Sequence, residues 1–581
     1  MALLPLLALL ASCQMLAGID GYEIASTATG GQGGTAGSAG GTGGTGGQGG
    51  ASGGGGSGPT YTIGGEVTGL VGSVTLQNGG ADDLVLEAGG TFTFVTAVAD
   101  QTAYDVTVSL PPGLQGCEVS NGAGTVSGAN VTDVAVDCFD ALFFQATNGV
   151  DGFELWKSDG TAAGTAMVRD IDTLGDSDPV GMTRFGDHVY FGATHPSSGR
   201  ELWRTDGTEA GTELVQDINL GSGDGLYVTG VPNNLVVFDG ALYFRAQDTP
   251  PDDQPQVWRT DGTTTAQVSH IFLSGGGPTG IQGLTPVGSA WMSFAALVNG
   301  AGLELYVTDG TWNGTGLLAD INQGGNSSNP MSFHAHGGWL YFAARATQTE
   351  GMELWRSNGL QGGTSLVKDI DPAPGVGSNP SELTSFANRV FFSASEGYEI
   401  ELWSTDGTSQ QTTMFMDIIT NESSAPRHLT VVGSDLYFIA YSGGNGGEDL
   451  WVTDGVTPPT QPLAVINAPG ATVDRPDHFT AFGNKLFFFA DDETGGGYEP
   501  WLADANSAAR LADINPNGDS LVTFDLQLMV TQHVRPLGDK LTFYATDGAH
   551  GYELWITDGT QAGTTMVMDI NPTGHSVATV L

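Results

Sequence analysis

Basic residues are scarce in this chain. It has 4 Lys and 13 Arg against 64 acids in 581 residues, for a formal net charge of −47. That balance excludes a nucleic-acid partner and repels an anionic lipid surface, because like charges would be brought together. Cysteine is scarcer still: Cys13, Cys117 and Cys138 leave one pairing at most. Helical patterning is missing as well, since no stretch of the main body sustains a 3.6-residue apolar period with caps. The apolar run Ala2 to Ala11 is ten residues long, too short to span a bilayer. Motifs of catalysis are absent too. There is no His-Glu-x-x-His metal helix, no serine elbow between a strand and a helix, and no phosphate loop. A sialidase-type site would need three clustered arginines, and the 13 present are scattered. Paired carboxylates of the glycosidase kind carry no information where acids are everywhere.

What the chain has is repetition. Nine times, at intervals of 47 to 55 residues, a Glu-Leu-Trp-x-Thr-Asp-Gly-Thr segment is followed by Val-x-Asp-Ile; the clearest copies start at Glu154, Glu201, Glu353, Glu401 and Glu553. A fixed period of this length marks an array of one supersecondary unit. Each unit holds four short runs: Leu-Thr-x-Phe, Leu-Tyr-Phe-x-Ala, Glu-Leu-Trp-x-Thr and Leu-Val-x-Asp-Ile. They are four to seven residues long and are separated by Gly, Asn, Asp and Pro, which is the chemistry of strands and turns. Four antiparallel strands in a unit of this size are a propeller blade. Trp156 to Asp170, Trp203 to Asp217, Trp355 to Asp369, Trp403 to Asp417 and Trp555 to Asp569 are all separated by 14, so the register is rigid. Tyr306 takes the Trp slot in one unit.

The ends predict a ring. The first unit opens at Phe139-Asp140-Ala141-Leu142, already its second strand, and the chain finishes on Ser576 to Leu581, which matches a first strand. Joining the two would complete a blade and remove both sheet edges. Nine blades are expected, with eight and one displaced unit as the fallback.

The Glu353-Leu354-Trp355 and Ser404-Thr405-Asp406-Gly407-Thr408 segments and their companions resemble the bacterial ELWxxDGT-repeat proteins over residues 139–581. That resemblance implies secreted or surface-attached propellers and no established reaction. Three copies depart from the pattern: Val257-Trp258 with His270 in the later Asp slot, Asp449-Leu450-Trp451 with Val465 there, and Glu499-Pro500-Trp501 with Asp504-Ala505-Asn506. Irregular blades are expected at these three.

The recurring residues read as architecture first. A Trp at one slot of every blade could stack sugars, but such a column is usually packing between blades. The Asp-Gly-Thr turn resembles the Asp-box hairpin of sialidases, where the Asp ties the turn together by accepting backbone N–H bonds. Three acidic slots of the repeat account for 23 of the 64 acids. The loops after the second Asp column, such as Asp176-Ser177-Asp178, make Ca²⁺ the one cation to consider, although no Asp-x-Asp-x-Asp-Gly loop is present. His334-Ala335-His336 puts two imidazoles on one strand face, short of the three or four ligands a metal needs. His195, His428, His478 and His550 read as solvated loop residues.

The N-terminal part reads as an address. Residues 1–12 form an export signal, although no basic residue precedes the apolar run. Leu10-Ala11-Ser12-Cys13 resembles a bacterial lipobox, which implies lipidation of Cys13 and a membrane partner through the lipid; Gln14 favours the outer membrane. Residues 13–59 are a Gly-rich linker, in which the uncharged tether 30–58 has a reach of roughly 30 Å. Residues 60–138 alternate short strands and turns and predict a small β-sandwich, with strands at 62–68, 71–77, 84–87, 91–95, 104–109 and 131–137. With Cys13 lipidated, Cys117 and Cys138 would pair in an oxidising compartment. Residues 139–581 are the propeller.

The function expected from all this is a surface-displayed, lipid-anchored recognition or scaffold protein without catalytic activity, a monomer binding surface protein or polysaccharide. The alternatives are a carbohydrate-active hydrolase or lyase with an acidic central cavity, and a calcium-stabilised adhesin. No cofactor is expected beyond calcium. The off-pattern insertions Asp248 to Gln256, Ser442 to Glu448 and Asp491 to Tyr498 are the candidate binding loops.

Overall fold

A computed structural model describes residues 58–577 except 227–234, 249–254, 272–279, 299, 348–349, 444–446, 460, 465–475, 492–496 and 522–533. The described residues contain strands and turns and no α-helix. Cys13, most of the three insertions and the last four residues lie outside them.

The small domain is a sandwich of two four-stranded sheets. One sheet orders Gly90–Thr93, Ile63–Thr68, Val131–Asp140 and Gln115–Ser120; the other orders Asp82–Leu86, Val74–Asn78, Ala103–Leu110 and Ala123–Thr125. Its core joins both sheets through Ile63, Val67, Leu76, Phe92, Val106 and Val136. Besides the two-residue strands Thr60–Tyr61 and Val98–Ala99, which pair with each other, two strands escape the sequence reading, Gln115–Ser120 and Ala123–Thr125. Both carry glycine and polar residues among few apolar ones, which hides the alternation. Cys117 and Cys138 face each other on neighbouring strands and form the disulfide.

The repeats form nine sheets. Seven have four strands in simple up-and-down order, and two have three among the described residues: Leu142–Ala146 to Ala166–Arg169, and Arg427–Val432 to Glu448–Thr453. Numbered in chain order, these are blades 1 to 9, with blades 1 and 7 three-stranded. First strands of consecutive blades adjoin one another and are therefore the innermost. The fourth strand stops short of the second Asp column: Ala166–Arg169 ends before Asp170, so Asp-Ile begins the loop rather than closing the strand.

Nine apolar clusters lie between the blades, one for each consecutive pair, and the ninth joins Leu142, Phe144 and Trp156 of blade 1 to Leu537, Tyr544 and Leu554 of blade 9. An open stack of nine sheets has eight junctions, so this is a closed nine-bladed propeller. The eight-bladed fallback is excluded. The seam is also hydrogen-bonded. Thr147 donates its N–H to the Ser576 carbonyl at 2.8 Å, as Thr194 does to Ser177 and Ser395 to Ser378 inside the ring. The Arg535 guanidinium reaches the Phe143 carbonyl at 3.3 Å. Of the segment Ser576 to Leu581 expected to complete blade 1, residues 578–581 lie outside the described residues, and Ser576 and Val577 sit at the seam.

The three departures from the motif have physical consequences. In regular blades the third and fourth strands pair with a shift beside the Trp, as between Leu402 and Trp403. Blades 3 and 8 pair without it. Among the described residues blade 7 shows the bridge between Leu450 and Ala464 in place of a fourth strand.

Candidate functional site

The repeated side chains are consumed by the architecture. Every Trp-slot residue packs on the preceding blade: Trp203 against blade 1, Trp258 against blade 2, Trp403 against blade 5. Trp403 is 2 % exposed, so no sugar can stack on it. The Glu of Glu-Leu-Trp is buried and holds the exit of its own blade. The Glu401 carboxylate accepts from Ile418 N at 3.0 Å, Ser424 N at 3.0 Å and Ser424 Oγ at 2.5 Å. Burial pushes these carboxyls up against the pull of those donors. In blade 2 the serine is replaced by Gly225, one Glu201 oxygen is buried without a partner among the described residues, and burial raises the carboxyl to about 7. The Asp-Gly-Thr aspartate accepts from its own turn, Asp406 Oδ1 from Thr408 N at 2.8 Å and Thr408 Oγ1 at 2.7 Å. Those bonds hold its carboxyl below the ordinary range. Among the described residues no group of three or more His, Cys, Asp or Glu is placed to hold a metal ion.

The innermost strands behave differently. Those of blades 2 and 4 to 8 carry a register shift near their start, and the residue there takes a left-handed backbone; the described first strands of blades 3 and 9 pair without it. Blades 2 and 4 place Gly181 and Gly283 at this point, with φ of 71° and 69°. Blades 5 to 8 place Ser332, Glu382, His428 and His478, with φ of 55°, 58°, 56° and 59°. A side chain in this region costs about 1–2 kcal/mol that glycine avoids. Four consecutive polar side chains are held there, and strain of this kind concentrates at functional sites.

Three of the four belong to one polar arc. Glu382 Oε2 accepts from His428 N at 2.9 Å. The His428 Nε2 lies 3.4 Å from Asp477 Oδ1, and that oxygen accepts from His478 N at 2.6 Å. Burial lowers the His478 imidazole, opposed by Asp477 beside it. Arg427, at the head of the blade 7 strand, is taken up by Glu448. The arc thus presents two carboxylates and two imidazoles, with Glu382 exposed and the others half-buried. It lies toward the ends of the inner strands that follow the inter-blade loops. The small domain docks at the opposite end, where Lys157 Nζ of blade 1 bonds the Gly113 carbonyl at 3.4 Å and Lys540, at the strand-1 to strand-2 turn of blade 9, meets Glu118 at 3.1 Å. A partly open cavity of about 600 Å³ lies at that junction, beside Asp105, Cys117, Asp159 and Thr161.

His428 and His478 are therefore strand residues of the inner wall, not loop residues; a bulge disguised both strands. His195 also ends a strand, His188–His195, with its ring 6.0 Å from that of Trp203. His550 is a loop residue, tied to Asp547 at 2.7 Å, which raises its imidazole. His334 and His336 do share a strand face, and both rings reach the Ser385 hydroxyl of the next blade, at 2.7 and 2.9 Å. Glu382, Ser385 and Asp477 escape a reading of the repeat motif; aligning the inner strands to one another exposes them as breaks.

No family model and no curated protein matches the chain. Among solved structures it is similar to a puromycin hydrolase mutant complexed with PGG, at 15% identity, covering 65% of this chain and 57% of that one, with a TM-score of 0.33. A second is a prolyl endopeptidase, at 12% identity, 57% and 49% coverage and a TM-score of 0.36. A third is oligopeptidase B from Leishmania major, at 12%, with 58% and 48% coverage and 0.35. The match spans about half the length of those chains. These neighbours are peptidases and a hydrolase. The expectation of a recognition or scaffold protein without catalytic activity is corrected on that finding, along with its carbohydrate-active and calcium-stabilised alternatives.

Proposed function

We propose that the ring handles polypeptide: its central opening receives an extended, basic peptide segment as the substrate-admitting part of a peptide-cleaving system. The observation that carries this is the run of strained polar residues, Ser332, Glu382, His428 and His478, on four adjacent inner strands. Ammonium and guanidinium groups suit the Glu382 and Asp477 carboxylates, and a net charge of −47 steers cations toward the opening. A sugar ligand lacks its platform, because the Trp column is buried between blades. We also assign the chain to the ELWxxDGT-repeat proteins and to an exported location; the nine sheets in register with the motif and the Cys117–Cys138 disulfide support these two assignments.

The test is fluorescence anisotropy of the full chain with labelled Gly-Arg, Gly-Glu and Gly-Ser repeat peptides. Binding of the Gly-Arg peptide alone is expected, weakened about tenfold or more in the Glu382→Gln, Asp477→Asn double variant and by added salt. Equal binding of the three peptides, or an unaffected double variant, would overturn the reading.

A further inference from the structure

The junction between blades 5 and 6 breaks the repeat in a second way. At one equivalent position of the inner strand blades 2, 4, 6, 7 and 8 have Thr183, Thr285, Thr384, Thr430 and Thr480. Each hydroxyl turns back to bond the carbonyl two residues earlier, at 2.9 to 3.2 Å. Blade 5 has His334 there instead. Two residues on, where others have Phe185, Val287, Phe386, Val432 and Phe482, it has His336. Opposite them blade 6 supplies Ser385, where other blades have Arg184, Pro286, Ala335, Val431 and Ala481. Three off-pattern side chains from two blades thus converge on one oxygen: His334 Nε2 lies 2.7 Å and His336 Nδ1 2.9 Å from Ser385 Oγ. All three are half-buried, which strengthens the polar contacts among them while leaving each partly accessible.

A hydroxyl has one proton, so Ser385 donates to one ring and accepts from the other. Burial and the neighbouring His336 push the His334 imidazole down to about 4. It is neutral near pH 7, and in the tautomer that leaves Nε2 bare it accepts the Ser385 proton while His336 Nδ1–H donates to Oγ. In that tautomer the serine proton points at a neutral imidazole, the resting arrangement of an activated nucleophile.

We infer that Ser385 is an acyl-accepting nucleophile with His334 as its base and His336 as the group that orients the hydroxyl, acting on small activated carboxylic esters. Oγ adds to the ester carbonyl carbon while its proton passes to His334 Nε2. The carbonyl carbon–oxygen bond to the leaving group then breaks, and the departing alkoxide takes that proton. Water, deprotonated by the same nitrogen, releases the carboxylic acid and restores the serine. This chemistry goes beyond the peptide-admitting role and stands whether or not the opening binds basic peptides.

The full chain, mixed with p-nitrophenyl acetate, is expected to release a burst of nitrophenolate and to gain one acetyl group, located by peptide mass mapping on Ser385. Ser385→Ala is expected to abolish the burst. His334→Thr, which restores the residue of the other blades, is expected to slow it about 100-fold with an unchanged melting temperature. A well-folded native chain that gains no acetyl group, or an acetyl that still appears in Ser385→Ala, would overturn the inference.

Discussion

The third strands and the first strands of the same blades obey different rules. The Glu-Leu-Trp strands are nearly identical around the ring, since both faces are packed and each side chain must fill a gap of one size. Trp203, Trp403 and Trp451 all meet the preceding blade in the same way. The first strands share only their Thr and apolar frame, and along it they carry Glu382, His428 and His478 on strained backbone and His334, His336 and Ser385 in one cluster. Repetition marks what holds the ring together, and departure from it marks the side chains left over for chemistry.

The comparison can be broken most severely at the tryptophan column. Trp403→Ala empties a site that is 2 % exposed, and a loss of about 3–5 kcal/mol is expected in denaturant unfolding. A loss below about 1 kcal/mol would show that the column is not the mortar between blades. The buried glutamates sharpen the contrast within a single column. Glu401→Gln turns an amide toward donors that need an acceptor and is expected to lose about 1–3 kcal/mol. Glu201, lacking the serine donor, is expected to tolerate Gln with little loss at about pH 8. Its folded carboxyl lies near 7 against an ordinary 4.5, as do those of Glu499 and Glu553. A carboxyl raised by folding holds its proton more tightly in the native state. Its contribution is therefore full below the ordinary value and is lost as pH climbs toward 7. A higher melting temperature at about pH 5.5 than at about pH 8 is expected, with a shallower dependence in Glu201→Gln. The smallest effect is expected on the inner strand. His334→Thr restores the common residue and should change stability by no more than about 0.5 kcal/mol, measured beside Trp403→Ala in the same denaturant series.

Much of the fold was legible because the repeat states it nine times. The strand order and the fixed Trp-to-Asp interval follow from spacing and composition, while the pairing of Cys117 with Cys138 followed from the lipobox resemblance that takes up Cys13. The strands Gln115–Ser120 and Ala123–Thr125 were not legible, because glycine and polar residues mask their alternation. The inner-wall histidines were misplaced for a related reason. A bulge at His428 and at His478 breaks the period of two, so a strand reads as a loop. Ser385 was invisible as a site, since its partners come from another blade 49 and 51 residues away.

By itself the sequence determined a blade, its four strands, its turn chemistry and its copy number, since those depend on local period and on side chains that recur. Only the tertiary structure decided that the ninth sheet meets the first, that the tryptophans are hidden from ligands, and that Glu382, His428 and Asp477 or His334, His336 and Ser385 stand together. Those facts depend on contacts between blades, and no local pattern encodes which residues of separate strands will face one another once the circle has formed.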